Sequence, residues 1–422
     1  MKARCGTAAI SPVVAWTREC TGLGERLGPG TLAAWQLEQA ARSAVRARDQ
    51  GRFYRQRLAG LDAAAWSTRD GFQRLPFTWP RELAQDPQGF LCVPQSRIAR
   101  LTTLASSGSS GPPKRVGCTE ADLERTVAFF ARGMTDLVEA GQTVLITLPG
   151  GGEQGVGRLL QEALERIGVA GLLIRPGWGV EDILAAARAS HCLVGLPAEL
   201  FYLCRTDPGL RPRTVLLSGD HMARPVLDAL AGSWGCRVAT HYGLTEAGLG
   251  CAVQCRAGQG HHLRDAELLL EIVEPDTGRP AALGEPGEIV LTTLAAEAMP
   301  LIRYRTGDLA RMLPGPCPCG GPLALLGRVE GRRDQAIPLP GGTLTIQALD
   351  DLVYALPGVR GFTAALHRSG GADRLVLTVE GDRPLDPGLV RAVVPEGLLV
   401  TVDRGPANPF TRRGKRRIER VN

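Results

Sequence analysis

Between residues 119 and 240 the sequence alternates between apolar runs and stretches of helical composition. This alternation predicts helices over 119–139, 156–167, 180–189, 198–205 and 224–233. It predicts strands over 143–148, 171–174, 192–195, 214–218 and 236–239. Such a pattern is typical of a largely parallel sheet covered by helices, whose ligands bind at the carboxyl ends of the strands. We therefore expect a binding site among the loops 149–157, 218–221 and 241–248.

The pattern changes after residue 262. Two strand-like runs, ELLLEIV (267–273) and GEIVLTTL (287–294), are separated by turn signals and predict an antiparallel sheet or a small barrel-like β part. The C-terminal part reads as a small α/β domain, with helices over 346–356 and 387–394 and strands over 359–367, 374–380 and 398–403. The predicted fold class is thus α/β, with a large N-terminal domain over residues 1–333 and a small C-terminal domain over 334–422.

Charge and composition exclude several classes of protein. A net charge of +6, scattered over 422 residues, favours small anionic ligands over nucleic acid. The basic tail RRGKRRIER (412–420) fits a turn before a terminal strand better than a nucleic-acid patch. There is no apolar run of about 18 residues and no hydrophobic signal core, so we expect a cytoplasmic protein that does not bind membranes. Eleven cysteines, an odd number, do not predict a disulfide framework.

The stretch LTTLASSGSSGPPKR (101–115) is the strongest candidate for a phosphate-binding loop. Glycines allow backbone N–H groups to converge, and serine hydroxyls add donors. Two prolines before Lys114 distinguish the stretch from the P-loop of nucleoside triphosphatases, and a flexible linker is the alternative. Only three of the 49 basic residues are lysines, and Lys114 and Lys415 each follow a glycine-containing turn. Unless this placement is chance, it suggests one active site supplied by two domains.

The loop HYGLTEAG (241–248) offers an aromatic ring, a hydroxyl and a carboxylate. Such groups can stack on a base, bind a phosphate and ligate a magnesium ion, although a plain turn would have the same composition. Farther along, MPLIRYRTGDLA (299–310) contains Asp308, a carboxylate suited to two ribose hydroxyls.

Three cysteines and one histidine predict a structural zinc site. The ligands would be Cys255, His262, Cys317 and Cys319, which offer the three thiolates and one imidazole of a closed tetrahedral site. A C-x-C pair is weaker evidence than C-x-x-C, so unligated thiols remain the alternative, and Cys251 and His261 could substitute as ligands.

Five segments carry a resemblance to a known family. SSGSSGPPK (106–114), YGLTE (242–246), RYRTGD (303–308), GRRD (331–334) and PFTRRGK (409–415) occur in the order and approximate spacing of the adenylate-forming superfamily. The phrases LPFTWPREL (75–83), MPLIRYRT (299–306) and CPCGG (317–321), and the overall length, are most similar to its phenylacetate–coenzyme A ligase branch. Similar cysteines in that branch are associated with zinc, which favours the metal site.

The resemblance implies a two-step reaction with ATP/AMP, Mg²⁺ and coenzyme A as cofactors. A small carboxylic acid, aryl or otherwise, would become an acyl-adenylate with release of pyrophosphate, and coenzyme A would then displace AMP. The resemblance also implies a mobile C-terminal domain that rotates between the two steps about a hinge at Asp334. A homodimer is plausible by family analogy.

The resemblance further implies roles for single residues. The pyrophosphate loop would comprise Ser106, Ser107, Gly108, Ser109, Ser110, Gly111 and Lys114. Tyr242, with Gly243 beside it, would pack on adenine, while Thr245 would touch the α-phosphate and Glu246 would hold magnesium.

Two further segments would complete the nucleotide site. Gly219 and Asp220 would meet the adenine edge, and Asp308 would bind the ribose with Arg328 or Arg332 nearby. Lys415 would contact the carboxylate and the α-phosphate during adenylation.

Two departures from the family pattern leave the substrate open. The stretch ITLPGGGEQGVG (146–157) lacks the aromatic residues of phenylacetate ligases, and His241 either lines the acyl site or simply packs. Two other functions also stay open: transfer of AMP to another acceptor such as a deazaflavin coenzyme, and non-catalytic nucleotide binding on the same fold. The retained Lys114, Glu246, Asp308 and Lys415 argue against the second.

Overall fold

The structure is a computed structural model that describes residues 10–104, 113–148, 155–368, 373–411 and 416–421, without the side chain of Asp334. Its helices, in chain order, are α1 (Pro12–Thr21), α2 (Pro29–Gln50), α3 (Arg52–Arg57), α4 (Arg69–Gln73), α5 (Pro80–Gln85), α6 (Glu120–Met134), α7 (Val156–Glu165), α8 (Val180–Arg188), α9 (Pro197–Thr206), α10 (Arg224–Trp234), α11 (Ile346–Val353) and α12 (Pro387–Val390). Short 3-10 helices include Thr245–Ala247 and Arg333–Gln335.

The strands follow the same order along the chain. They are β1 (Arg100–Leu104), β2 (Lys114–Cys118), β3 (Thr143–Ile146), β4 (Ala170–Leu173), β5 (Cys192–Gly195), β6 (Thr214–Ser218), β7 (Arg237–Tyr242), β8 (Ala252–Val253), β9 (His261–Leu263), β10 (Leu268–Val273), β11 (Gly287–Thr293), β12 (Tyr304–Ala310), β13 (Met312–Leu313), β14 (Leu325–Leu326), β15 (Gly331–Arg332), β16 (Ile337–Leu339), β17 (Gly342–Leu344), β18 (Val359–His367), β19 (Arg374–Gly381), β20 (Leu399–Arg404) and β21 (Ile418–Val421).

The chain divides into two compact units. Unit 1 comprises residues 1–136 and 241–330, and unit 2 comprises residues 137–240 and 331–422. The predicted domain boundary at residues 333 and 334 lies close to the second division point. The division nevertheless groups residues 331–422 with 137–240, so a separately moving C-terminal domain stays a prediction.

Unit 2 contains the parallel sheet that the alternating pattern predicts. Strand β3 pairs in parallel with β4 on one side and β5 on the other, and β5 pairs in parallel with β6. The side chains of Val144, Leu145 and Ile146 on β3 are fully buried, because helices cover both faces of such a sheet. The α/β fold class is confirmed.

Residues 331–422 of unit 2 form a second, four-stranded sheet. Its order is β20-β19-β18-β21, with an antiparallel centre and parallel outer pairs. Its apolar face does not form a core of its own: Tyr354 and Phe362 belong to the same buried cluster as Phe201 and Trp234. The C-terminal segment and the parallel sheet thus share one core within unit 2.

Unit 1 is built around an antiparallel sheet and two smaller sets of strands. Strand β11 pairs with β10 and β12 in antiparallel register, which is the first of the two forms that the sequence pattern allows. Strands β1 and β2 form a hairpin, and β8, β9, β14 and β13 follow the end of β7. Tyr54, Trp66, Phe90 and Tyr304 are among the large side chains buried in its core.

One predicted strand is longer than expected. Strand β7 was expected to end at residue 239 but continues to Tyr242, because His241 and Tyr242 pair with Val253 and Ala252 of β8. The pairing partners lie ten and twelve residues away and leave no local periodic signal. Within the described ranges, no helix combines the length and apolar character that crossing a bilayer requires.

Candidate functional site

The hairpin loop between β7 and β8 positions the residues that the sequence assigns to nucleotide binding. The backbone N–H of Cys251 donates to the carbonyl of Tyr242 at 3.0 Å and closes the loop. An ideal Cβ on Gly243 would lie 2.0 Å from the carbonyl oxygen of Leu249, so this position accepts only glycine. The close approach of residues 243 and 249 therefore keeps the loop around Glu246 compact.

Glu246 is buried and forms an ion pair with Lys114. The sequence motifs predicted a role for each residue but not this contact between them. The hydroxyl of Tyr304 donates to the same carboxylate oxygen at 3.0 Å. Burial alone would raise the pKa of Glu246, but the charge of Lys114 and the hydrogen bonds to the carboxylate together hold that pKa below its ordinary value. The carboxylate is therefore ionised and lies beside a cation, an arrangement that can exchange the ammonium group for a hard metal ion.

The second predicted pair is also brought together. The hydroxyl of Tyr242 donates to a carboxylate oxygen of Asp308 at 2.8 Å, and both side chains are buried. Burial and the adjacent carboxylate raise the pKa of Tyr242 well above its ordinary value, so the phenol stays neutral. An aromatic ring and a carboxylate held side by side suit a base and its ribose.

Strand β12, which carries Tyr304 and Asp308, is anchored by the N-terminal phrase LPFTWPREL. The backbone N–H of Thr78 donates to the carbonyl of Arg303 at 3.0 Å, and the N–H of Arg305 donates to the carbonyl of Thr78 at 2.9 Å. The guanidinium groups of Arg303 and Arg305 lie 4.2 Å and 5.1 Å from the ring centre of Phe77. This phrase therefore contributes to the position of β12.

A second buried cluster in unit 1 matches the predicted zinc site. One ligand atom from each of Cys255, His262, Cys317 and Cys319 lies within 4.8 Å of all the others. The sulfurs of Cys255 and Cys317 are 3.6 Å apart, and His262 Nε2 is 3.5 Å from Cys319 Sγ. Two thiolates bound at 2.3 Å to a tetrahedral ion would be about 3.8 Å apart, so the spacing fits zinc.

The surroundings of this cluster also fit a metal knuckle. The N–H groups of Cys319 and Gly321 donate to the sulfurs of Cys317 and Cys319, at 3.5 Å and 3.4 Å. A side chain at Gly321 would crowd both Cys319 and His262. Burial raises the pKa of Cys317 to about 12 and lowers the pKa of His262 to about 4, so the chain alone favours neutral ligands and a cation would be needed to form thiolates.

The remaining predicted residues of unit 1 lie around these clusters. Thr245 begins the 3-10 helix Thr245–Ala247 and is partly buried. Arg328 is exposed, and its segment runs beside β12 because the N–H of Glu330 donates to the carbonyl of Leu309 at 2.8 Å. His241 packs edge-to-face on Phe130, and burial lowers its pKa to about 3.

Unit 2 contains the other predicted nucleotide-site residues. Gly219 has a positive φ of 89°, and an ideal Cβ there would lie 2.9 Å from Leu196. The carboxylate of Asp220 accepts from the backbone N–H groups of His221 at 2.9 Å and Arg416 at 2.7 Å. Arg332, on β15, is partly buried.

Several predicted residues cannot be placed. The serine- and glycine-rich stretch 106–111 and Lys415 lie outside the described residues, so their roles stay predictions. Asp334 lies in the 3-10 helix Arg333–Gln335.

Sequence reasoning missed two residues that contact predicted site residues: Tyr304 contacts Glu246, and Arg416 contacts Asp220. Tyr304 belongs to the RYRTGD segment, but its bond to Glu246 joins residues 58 positions apart. Arg416 follows Lys415 directly and contacts Asp350 and Asp220, and its place beside the rare lysine was the one available signal.

Comparison with known proteins gives relatives along most of the chain. No family model matches it. A phenylacetate–coenzyme A ligase of Thermus thermophilus is 28% identical over 374 residues, which cover 85% of this chain and 84% of that protein. A phenylacetate–coenzyme A ligase of Pseudomonas putida is 29% identical over 365 residues, which cover 83% of this chain and 82% of that protein.

Solved structures show the same fold. A structure of 2-hydroxyisobutyryl-CoA ligase in the postadenylation state, in complex with R3-HIB-AMP, has a TM-score of 0.76 at 18% identity and covers 91% of this chain and 89% of that one. The structure in complex with 2-HIB-AMP and CoA, in the thioesterification state, has a TM-score of 0.65 at 20% identity and the same coverage. The chain is therefore similar in sequence to phenylacetate–coenzyme A ligases along most of its length, and it has the fold of adenylate-forming coenzyme A ligases.

Proposed function

We propose that the chain activates a carboxylic acid with ATP and transfers the acyl group to coenzyme A, giving acyl-CoA, AMP and pyrophosphate. The observation that carries this proposal is the buried ion pair of Lys114 and Glu246, which lies in the same unit as the Tyr242–Asp308 pair. The named activity of the sequence relatives supports it. Their name also favours an aryl or other small organic acid as the substrate.

The first step is the attack of a substrate carboxylate oxygen on the α-phosphorus of ATP. The bond from that phosphorus to the oxygen bridging to the β-phosphate breaks, and pyrophosphate leaves with the electron pair. Lys114 and Lys415 supply positive charge, which stabilises the charge that develops on the phosphates. Glu246 is ionised in the fold and suits Mg²⁺, which when bound neutralises phosphate charge. Tyr304 keeps the Glu246 carboxylate oriented.

The second step is the attack of the coenzyme A thiolate on the acyl carbon. The bond from that carbon to the phosphate oxygen breaks, AMP leaves with the electron pair, and the thiol proton passes to solvent. In this step Tyr242 and Asp308 retain the departing nucleotide by its base and ribose. The C-terminal domain (334–422) rotates between the steps, so that Lys415 acts only in the first.

We also propose that Cys255, His262, Cys317 and Cys319 hold a structural zinc ion. The spacing of their ligand atoms supports this assignment. A closed site with four protein ligands has no position left for substrate, so the ion ties together the loops around residues 255 and 317 and takes no part in the reaction.

The test is pyrophosphate release from ATP and Mg²⁺ across a panel of arylacetic, benzoic and short hydroxy acids, with and without coenzyme A. We expect release that depends on one acid class and a matching thioester when coenzyme A is present. Release that ignores coenzyme A would indicate transfer to another acceptor. No release with any acid, despite ATP binding, would contradict the proposal. The cytoplasmic location and the homodimer stay predictions.

A further inference from the structure

The side chain of Arg416 lies in a socket formed by residues 350–362. Its Nε donates to the carboxylate of Asp350 at 2.8 Å, and its Nη1 donates to the carbonyl of Phe362 at 2.9 Å. The guanidinium carbon lies 4.2 Å from the ring centre of Phe362 and 5.2 Å from that of Tyr354. The Asp350 carboxylate, the Phe362 carbonyl and the two aromatic rings therefore orient the guanidinium group.

The backbone of Arg416 makes a different contact. Its N–H donates at 2.7 Å to Asp220, which lies in the loop after β6. The second oxygen of Asp220 accepts from the N–H of His221. Because Gly219 takes a positive φ that disfavours other residues, the loop presents the Asp220 carboxylate in a defined direction.

The four residues that contact Arg416 in this way belong to two different segments. Asp350, Tyr354 and Phe362 lie in residues 331–422, together with Arg416 itself, and would move with it. Asp220 lies in residues 137–240. Rotation of the C-terminal segment would thus preserve the socket and break the charged hydrogen bond between Asp220 and the Arg416 N–H. It would also break the other contacts between the two segments, which include those of Asp351 with His221 and Arg224 and that of Glu380 with Tyr202.

We propose that Asp220 and Arg416 form a latch that holds the C-terminal tail on the 137–240 segment and favours adenylate formation over thioester formation. The N–H that donates to Asp220 belongs to Arg416, which directly follows Lys415 in the sequence, so the latch acts on the residue next to the lysine proposed for the first step. The inference rests on the proposed function, because it assigns the latch to one of the two steps.

The latch differs from the role that the sequence resemblance implies for Asp220. A residue at the adenine edge would act on ATP binding, whereas a latch acts on the rate at which bound ATP reacts. Buried charge pairs contribute little net stability, because removing the charges from water offsets their attraction. We therefore expect the contacts of Arg416 to affect the orientation of the C-terminal tail more than the stability of the fold.

The test compares Asp220→Ala with Asp228→Asn, a control that alters an exposed carboxylate paired with Arg224. Two rates are measured: pyrophosphate release in a single turnover, and thioester formation from added acyl-adenylate and coenzyme A. In Asp220→Ala we expect the first rate to fall about tenfold, with the second within about twofold of the wild type, since one charged hydrogen bond is lost. Asp220→Asn retains an acceptor oxygen and should recover part of the first rate.

The dependence on ATP concentration separates the two roles of Asp220. The latch predicts a lower kcat for adenylation with an unchanged KM for ATP, in both Asp220→Ala and Arg416→Ala. A raised KM for ATP with an unchanged kcat would overturn the latch in favour of the adenine-edge role. An equal fall of both half-reaction rates would overturn it in favour of a general structural role.

A second measurement does not depend on activity. Hydrogen exchange of the amides in 416–421 should be faster in Asp220→Ala than in Asp228→Asn, because the tail loses its contact with the loop. Unchanged exchange would overturn the latch even if adenylation were slower. Faster exchange in Asp220→Ala, in a protein that forms no adenylate, would support the tail contact but contradict the proposed function. The failure of the latch and the failure of the proposed function are therefore distinguishable.

Discussion

Unit 1 contains two buried polar clusters, one around Glu246 and one formed by Cys255, His262, Cys317 and Cys319. In the first cluster Lys114 supplies the opposite charge, and the pKa of Glu246 is low although burial raises it. In the second cluster no cation from the described residues accompanies the thiols, and burial raises the pKa of Cys317 to about 12. The carboxylate of the first cluster is therefore ionised in the folded protein before any ligand binds, whereas the thiols of the second cluster need a metal ion to ionise.

Glu246→Gln should have the largest effect and tests the first cluster. We expect adenylate formation to fall at least about 100-fold, because the carboxylate suited to magnesium is lost. Pyrophosphate release at saturating ATP measures it, and Glu330→Gln, which alters an exposed ion pair with Arg311, is the control. If Lys114→Met restored the activity of Glu246→Gln, the loss would come only from an unpaired lysine, and the role assigned to Glu246 would be wrong.

Removing zinc should have the next largest effect and tests the second cluster. We expect one zinc ion per chain by elemental analysis, and a Tm lower by about 10 °C after chelation or in Cys319→Ser, because the metal binds only the folded state. Cys20→Ser, at an exposed thiol, is the control. A metal-free protein with the same Tm before and after chelation would show that the four ligands are ordinary buried side chains.

Asp265 offers a third buried carboxyl group, whose side chain accepts a hydrogen bond from Gln36 and, within the described part of the chain, forms no ion pair. Burial raises its pKa to about 7, so the folded state keeps a proton that the unfolded state loses above about pH 4. Stability should therefore fall as the pH rises from about 4 to 7 and level off above it. Asp265→Asn removes this cost.

The gain from Asp265→Asn should be about 1–3 kcal/mol at pH 8 and close to zero at pH 4. Urea unfolding at the two pH values measures it, with Asp382→Asn, at an exposed carboxylate, as the control. A gain of the same size at both pH values would mean that packing and not ionisation is the cause.

Tyr304→Phe should have the smallest effect and sharpens the picture of the first cluster. Loss of the hydrogen bond to Glu246 should slow pyrophosphate release about fivefold, which corresponds to ~1 kcal/mol. Tyr54→Phe is a matched control, since the Tyr54 hydroxyl bonds to Thr78 and Ile302 and not to Glu246. Equal losses of activity in the two variants would assign Tyr304 a packing role only.

Local patterns predicted the elements of unit 2 closely. Strands β5, β6 and β18 have the expected bounds, because buried strands bounded by turns leave a signal in the nearest residues. The sequence did not predict that Phe362 and Trp234 belong to one core, since that core joins segments more than 100 residues apart. The same reason explains why the bond of Tyr304 to Glu246 was missed.

The sequence by itself determined the α/β alternation, the loops at the ends of strands, and the residue types suited to nucleotide and zinc. These features depend on periodicity and on the chemistry of single side chains, which can be recognised within one segment of the sequence. Only the tertiary structure decided which of those side chains meet: Lys114 with Glu246, and Asp220 with the backbone of Arg416. Such contacts join distant parts of the chain, so they are set by how the segments pack and not by any local pattern.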